Sequence, residues 1–357
     1  MRILAIETSC DETALALLEA TGGLRAPRFN VLENIISSQI EVHRPWGGVV
    51  PSLAKREHLK NLPIILEKLT NREPRKRNKF SLNYNLKYLT PDIIAVTVGP
   101  GLEPALWTGI NFAKALYKKI KEENKKLKLI GVNHLEGHLY SFLLSPQKKI
   151  EIPDAHIFPA IALIVSGGHT ILLKVDSLTK WKKLGETRDD AVGEAFDKVA
   201  KMLDLPYPGG PEIQKLAKKG NPHAIEFPRP MMHDKSYDFS YSGLKTSVLY
   251  YLRDHKEVKK EDIAASFQEA SLDVLVQKTK RAVQEFAAKS ILLSGGVAAN
   301  KALREKLRVL SLKSNVSFFA PPMDFNTDNA VMIGVAGYMN ILRKKNHRIT
   351  AQGDMRI

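Results

Sequence analysis

Short, wholly apolar runs alternate along the chain with longer stretches whose apolar positions recur every three or four residues. Arg2–Glu7, Asp92–Val98 and Leu129–Asn133 have strand length and no polar face, so they predict strands buried on both sides. Between them, Pro51–Thr70, interrupted at Pro63, and Pro104–Asn124 predict helices whose leading prolines suit a first turn, where the missing N–H costs nothing. The order then begins again. Ala160–Val165 and Thr170–Asp176 are two apolar runs joined by Ser166-Gly167-Gly168-His169, a tight hairpin. Helical patterns follow at Asp190–Leu203, Ser242–Arg253 and Asp262–Ala288. Ser290–Leu293 predicts another buried strand, and Gly295-Gly296 leads into a helix at about Ala298–Leu310. Val316–Phe319 and a last helix from Asp328 to Arg343 close the pattern, while 344–357 read as a frayed end.

Two halves, each opening with a strand and a polar turn, define an α/β protein with a duplicated fold and a cleft between two lobes. No sequence repeat accompanies the pattern. The Pro- and charge-rich stretch Pro146–Pro159 is the expected boundary. It divides the chain into residues 1–152, joined by a C-terminal helix at 328–345, and residues 153–327. A chain of 357 residues has the length for two cores, and 44% hydrophobic residues suffice to fill them.

Composition adds three constraints. No apolar run reaches the roughly 18–20 residues of a membrane span, and the first residues lack the pattern of a signal peptide. Cys10 is the single cysteine, so no disulfide can form within the chain, and a reducing cytoplasmic setting is expected. The net charge of +16 favours polyanionic partners, nucleic acid above all. Lysines and arginines cluster at Arg72–Lys79 and at Lys118–Lys128; the second cluster lies at a helix end, where some of its lysines simply complement the helix dipole.

Candidate chemistry concentrates in a few strings. His134 and His138 are four residues apart, which puts both imidazoles on one face of a helix and suits two ligands of one divalent ion. A zinc peptidase needs glutamate directly after the first histidine; Leu135 stands there instead. A carboxylate completing the set cannot be chosen by pattern among 38 acidic residues. Asp328, at a predicted helix start, reads locally as an N-cap. Ser166-Gly167-Gly168, Pro208-Gly209-Gly210-Pro211 and Ser294-Gly295-Gly296 are three glycine turns at strand or helix ends, places where backbone N–H groups can meet phosphate oxygens. Glu7–Thr13 ends the first strand in a dense polar run, in which Asp11 or Glu12 could serve as an acid or base, or cap a helix-like Thr13–Leu18 turn or hairpin.

Ten strings in fixed order then identify a family. They are Ile6–Thr13 (IETSCDET), Gly47–Pro51 (GGVVP), Gly99–Leu102 (GPGL), His134–His138 (HLEGH), Val165–Thr170 (VSGGHT), Gly193–Lys198 (GEAFDK), Tyr207–Pro211 (YPGGP), Phe239–Thr246 (FSYSGLKT), Ser294–Val297 (SGGV) and Thr327–Ala330 (TDNA). Over roughly residues 1–340 the chain resembles the TsaD family, the bacterial-type tRNA N6-adenosine threonylcarbamoyltransferases once called glycoprotease Gcp. The resemblance implies two ribonuclease-H-like lobes of the actin/Hsp70/sugar-kinase type. It implies one divalent metal per subunit, Fe2+ by family habit with Zn2+ also suited, on His134, His138 and Asp328. Threonylcarbamoyl-adenylate would contact Ile164, Val165, Ser166, Gly167, Gly168, Asp197, Gly210 and Asn300. TsaB-like and TsaE-like proteins, the latter an ATPase, would be partners together with tRNA. Two features depart from the family: the basic stretch Arg72–Lys87 is longer, and an Arg-Pro-Arg-Trp-Pro-type tail is absent after Arg343.

The reaction expected is transfer of the threonylcarbamoyl group to N6 of the adenosine 3′ of the anticodon, in tRNAs reading codons that begin with A, with release of AMP. Asp11 is the candidate to accept the amine proton. The alternative within the same superfamily is an ATPase or kinase, which needs the phosphate turns but not the histidine pair. A third reading is a scaffold that binds tRNA and proteins without catalysis.

Overall fold

A computed structural model describes residues 1–70, 89–144, 154–255 and 257–357. The basic stretch 72–87 and the expected boundary between 152 and 153 lie outside the described residues. The chain divides into two compact units, one formed by 1–144 with 328–357 and the other by 145–327.

The first unit is built on strands β1 (Arg2–Glu7), β2 (Glu12–Thr21), β3 (Arg28–Ser38), β4 (Ile93–Gly99) and β5 (Lys128–Asn133), in the order β3-β2-β1-β4-β5. β1, β2 and β3 pair antiparallel as consecutive hairpins, whereas β4 and β5 run parallel to β1. The second unit repeats this order as β8-β7-β6-β9-β10, from β6 (Ala160–Val165), β7 (Thr170–Ser177), β8 (Lys180–Glu186), β9 (Ser290–Ser294) and β10 (Ser317–Phe319). Again three antiparallel strands precede two parallel ones. The duplication expected from the sequence pattern is therefore a duplication of topology.

Helices of the first unit are α1 (Ile40–His43), α2 (Pro51–Thr70), α3 (Glu103–Glu123) and α4 (His134–Tyr140). α5 (Asp154–Ile157), α6 (Val192–Met202), α7 (Gly209–Ala217), α8 (Ser242–Asp254), α9 (Lys260–Glu285) and α10 (Lys301–Lys313) belong to the second, and α11 (Ala330–Leu342) returns to the first. One face of the first sheet, through Leu4, Ile6, Leu15 and Val96, packs on Leu62 and Leu66 of α2 and Ile110 and Ala113 of α3. The other face is covered by α11, which lies close because Gly334 and Gly337 present no side chain to Leu18 and Ala95. Burial on both faces explains why β1 and β4 read as unbroken apolar runs.

Several expectations need correction. Thr13–Leu18 is not a helix-like turn but takes the hairpin alternative: it lies inside β2, paired antiparallel to β1 despite its alanines and leucines. Pro63 does not interrupt α2, which runs through it. The helix expected at Ala298 begins at Lys301, after a 3₁₀ turn at Gly296–Ala299. Pro208–Pro211 is more than a tight turn, since Gly209 opens α7. The end of the chain is not frayed: His347 bridges to Gly131, the Gln352 N–H donates to Val98 O at 2.8 Å, and the Gly101 N–H donates to Gly353 O at 3.2 Å.

Candidate metal centre

The first unit gathers its polar residues at the carboxyl ends of its parallel strands, where the turns after β1, β4 and β5 emerge side by side. β5 runs directly into α4. Asn133 caps that helix, its Oδ1 accepting from the N–H groups of Leu135 at 2.8 Å and Glu136 at 3.3 Å. His134 and His138 project from one face, ring centroids 4.7 Å apart and nearly perpendicular. Gly137 lets α4 settle on α11, because a Cβ there would meet Met332 Cγ at 3.1 Å and Ile333 Cδ1 at 3.2 Å. That contact delivers the residue preceding α11 to the histidines: Asp328 Oδ1 lies 3.5 Å from His134 Nε2 and 3.2 Å from His138 Nε2. One ligand atom from each of the three residues falls within 4.8 Å of the others.

The local N-cap reading of Asp328 is overturned. Asn329 caps α11, its side chain accepting from the Met332 N–H at 3.0 Å, and Asp328 is thereby turned to the histidines. The two neighbours should separate by experiment. Asn329→Ala is expected to cost about 1 kcal/mol of stability as a lost cap, whereas Asp328→Ala should leave thermal unfolding of metal-stripped protein nearly unchanged and abolish metal binding. Calorimetric melting and a metal titration on both variants check this; equal metal binding by Asp328→Ala and the unmodified chain would refute the assignment.

Behind His134 stands a carboxylate that pattern reading passed over. Glu7 ends β1 fully buried, its Oε2 3.1 Å from His134 Nδ1 and accepting from Thr97 Oγ1 at 2.7 Å. Its Oε1 accepts from the Ser9 N–H, and Ser9 Oγ lies 3.2 Å from the same imidazole nitrogen. A charge at the end of an otherwise apolar buried strand was the available signal, since buried acids need partners. With Nδ1 engaged by Glu7, Nε2 of His134 is left to face Asp328, the arrangement by which proteins orient metal-binding histidines. Burial pulls the His134 pKa down, but the charges of Asp328 and Glu7 outweigh it and lift it to about 9. His138 is lowered, chiefly by burial.

The fit to a metal rests on His138. Its ring is buried, yet neither Nδ1 nor Nε2 has a hydrogen-bond partner among the described residues. Nε2 lies 3.2 Å from Asp328 Oδ1, within ion-pairing distance, while Nδ1 faces no partner among those residues. A buried imidazole nitrogen left unsatisfied is costly, and an ion held jointly with His134 and Asp328 would engage Nε2 of His138. Two histidines and one carboxylate are a donor set for a divalent ion such as iron or zinc, with positions left open for substrate.

Asp11 follows on the turn after β1 and is 8% exposed. Burial first, then the charges of Asp11 and Asp328, push the Glu12 carboxyl well above its ordinary range. Two other histidines are used structurally. His58 bonds Thr13 Oγ1 at 2.8 Å and Cys10 O at 2.9 Å, and His43 meets Gln39 Oε1 at 3.1 Å.

In the second unit the glycine turns converge. Ser166-Gly167-Gly168 follows β6 and Gly295-Gly296 follows β9, the strand paired beside it. Gly295 has φ +93° and lies so close to Val165 that a Cβ would stand 2.2 Å from Val165 O. The Gly193 N–H, at the start of α6, donates to Ser166 O at 3.3 Å. Asp197 accepts from the Gly209 N–H at 2.7 Å and thereby holds the turn that contains Gly210. Asn300 caps α10 through Oδ1 and donates to Gln268 Oε1 at 3.0 Å. Ile164 and Val165 are fully buried and paired on β6, whereas Gly167 and Gly168 are exposed.

Fold and site together define the class: an α/β protein of the actin/Hsp70/sugar-kinase type whose first unit presents two histidines and an aspartate suited to a metal ion. The fold likeness extends to HypF from T. kodakarensis, with a TM-score of 0.59 at 13% identity over 96% of this chain and 48% of that one, so the chain spans about half of HypF. The family profile of TsaD, tRNA N6-adenosine threonylcarbamoyltransferase, matches residues 30–335. Curated relatives of that name are 47% identical in Thermosipho melanesiensis, over 95% of this chain and 94% of the relative, and 46% identical in Clostridioides difficile, over 96% and 94%. The chain belongs to the TsaD family of tRNA N6-adenosine threonylcarbamoyltransferases.

Proposed function

We propose that the chain transfers the threonylcarbamoyl group of threonylcarbamoyl-adenylate to N6 of the adenosine 3′ of the anticodon, in tRNAs reading codons that begin with A, and releases AMP. The observation that carries this is the convergence of His134, His138 and Asp328 in a chain of this family. The relatives' shared name favours the transferase over an ATPase or kinase on the same fold.

The donor is a mixed anhydride with a good leaving group, and the acceptor amine is weakly nucleophilic because its lone pair is delocalised into the adenine ring. His134, His138 and Asp328 would hold a divalent metal, Fe2+ in our reading, which would supply a Lewis acid for the donor's carbonyl group. Glu7 fixes the orientation of His134. In the second unit, N–H groups of the exposed Gly167 and Gly168, with those of the Gly295-Gly296 turn, receive the adenylate phosphate, with Gly210 and Asn300 beside the nucleoside and Asp197 holding the Gly210 turn. Ile164 and Val165 support these turns from within the sheet rather than through their side chains. As N6 bonds to the carbamoyl carbon, the bond from that carbon to the phosphate oxygen breaks and AMP leaves. Asp11 takes the N6 proton.

The exposed lysines 118, 119, 125, 126 and 128 form a basic patch for tRNA, whereas the Lys121 ammonium is occupied at Leu127 O, 2.6 Å away. TsaB-like and TsaE-like proteins are the proposed partners, and a reducing cytoplasm the proposed setting. No helix among the described residues is long and apolar enough to cross a membrane.

The test is reconstitution. Purified chain and partners are mixed with threonine, bicarbonate, ATP, the donor synthase and tRNA, and the nucleosides are analysed by mass spectrometry. Threonylcarbamoyladenosine that depends on this chain is expected; steady ATP hydrolysis by the isolated chain with no modified nucleoside would favour the kinase-type reading.

A further inference from the structure

α4 carries a third ionisable side chain that the transfer chemistry leaves unused. Glu136 lies between the two histidines in sequence, on another face of the helix, and is fully buried. Its Oε1 is 2.6 Å from Lys345 Nζ and 3.3 Å from Arg343 Nη1, and its Oε2 is 3.4 Å from His347 Nε2. Arg343 also donates to Tyr140 Oη, on the same helix, at 3.1 Å. All these groups come from the segment that follows α11. The same segment returns to the other end of α4, where Asn133 Nδ2 donates to Arg356 O at 2.9 Å while Asn133 Oδ1 caps the helix.

A helix of seven residues has little stability of its own. This one is gripped at its cap, at its middle and at Tyr140 by one stretch of chain. That stretch is continuous with α11, at whose opposite end Asp328 stands. The chain therefore holds the third ligand at one end of a helix and clamps the carrier of the other two at the far end. A buried carboxylate meeting two cations and a histidine is an expensive way to secure a helix that apolar packing could secure. What such pairing adds is a fixed position.

We propose that Glu136 is a positioning residue for metal capture, held by Arg343, Lys345 and His347 so that His134 and His138 face Asp328 at a fixed separation. The inference rests on the metal reading above and adds a residue outside the ligand set.

Cobalt binding to the metal-stripped full chain, followed by the visible absorption of Co2+, tests it. Glu136→Gln keeps the side-chain shape and removes the charge that the three basic groups face. The expected result is a Co2+ dissociation constant weakened about 10- to 100-fold, the usual effect of removing a group that orients a ligand, with one site per chain retained and an altered absorption band. The double variant Arg343→Gln, Lys345→Gln changes side chains nearer the surface and should shift affinity in the same direction; it decides the matter if Glu136→Gln does not fold. A purely structural role would lower the melting temperature of metal-free protein and leave the Co2+ affinity of the folded protein unchanged, which would overturn the proposal. His138→Ala separates the two readings. If it binds Co2+ as the unmodified chain does, the metal site itself is wrong; if it does not bind but the Glu136 and Arg343/Lys345 variants bind normally, only the positioning role fails.

Discussion

His138→Ala should lower threonylcarbamoyl transfer by about 10³-fold or more, because losing a Lewis acid removes several kcal/mol of stabilisation from the transition state and each 1.36 kcal/mol is tenfold in rate. Metal should be lost with it, since two ligands remain where three converge. Stability should barely follow. The His138 ring buries its Nδ1 without a hydrogen-bond partner among the described residues, so its removal relieves a desolvation cost of about 1–3 kcal/mol while opening a cavity of comparable cost. Metal content, melting temperature and single-turnover transfer from supplied donor, measured on one preparation, check the three statements together. A variant that keeps full transfer would remove the histidine pair from the mechanism.

Gly295→Ala should produce the second large effect, on the donor side. The residue sits at φ +93°, where side chains are strained, and its new Cβ would press on the Val165 carbonyl oxygen and carbon at 2.2 and 2.7 Å. Neither neighbour is the loose end of a flexible side chain; both are backbone of the central strand β6, paired on either side. The turn must move, at about 3 kcal/mol or more of stability. It would carry the proposed phosphate-binding N–H groups with it, and a displacement near 1 Å can cost about 10²-fold in rate. The expected signature is a raised KM for threonylcarbamoyl-adenylate with normal metal content, read from initial rates and metal analysis. Normal metal and an unchanged KM would show that this turn does not hold the donor.

Much of this was legible because it depends on spacing or on uniform burial. His134 and His138 declare a shared helix face by their interval, and β1, β4 and β6 are apolar along most of their length because both of their faces are buried. Elements whose identity depends on neighbours were not legible. β2 is rich in Ala, Leu and Glu, all helix formers, and becomes a strand because β1 and β3 supply its hydrogen-bond partners. β8 presents lysines at the edge of a sheet, protection that reads as loop in a sequence. Asp328 looked like a cap because Asp and Asn are equally good at that task and adjacent; only the geometry assigns the cap to Asn329. Glu7 and Glu136 are separated from their side-chain partners by 90 to 211 residues, distances over which no local pattern operates. The closing segment read as frayed because its anchors are bonds to the backbone of Val98 and Gly101, to the Asn133 side chain and to the distant Glu136 carboxylate, none of which leaves a mark on side-chain periodicity.

X-ray absorption at the metal edge, on protein loaded with one equivalent of Fe2+ or Zn2+, probes the centre most directly. Two imidazole nitrogens at about 2.0–2.1 Å with carboxylate oxygen in the same shell are expected for zinc, and His138→Ala, cleared of unbound ion, should give no such spectrum because it no longer holds the metal. An unchanged spectrum in that variant, as would follow if the ion sat instead on His43 and His58, would contradict the account.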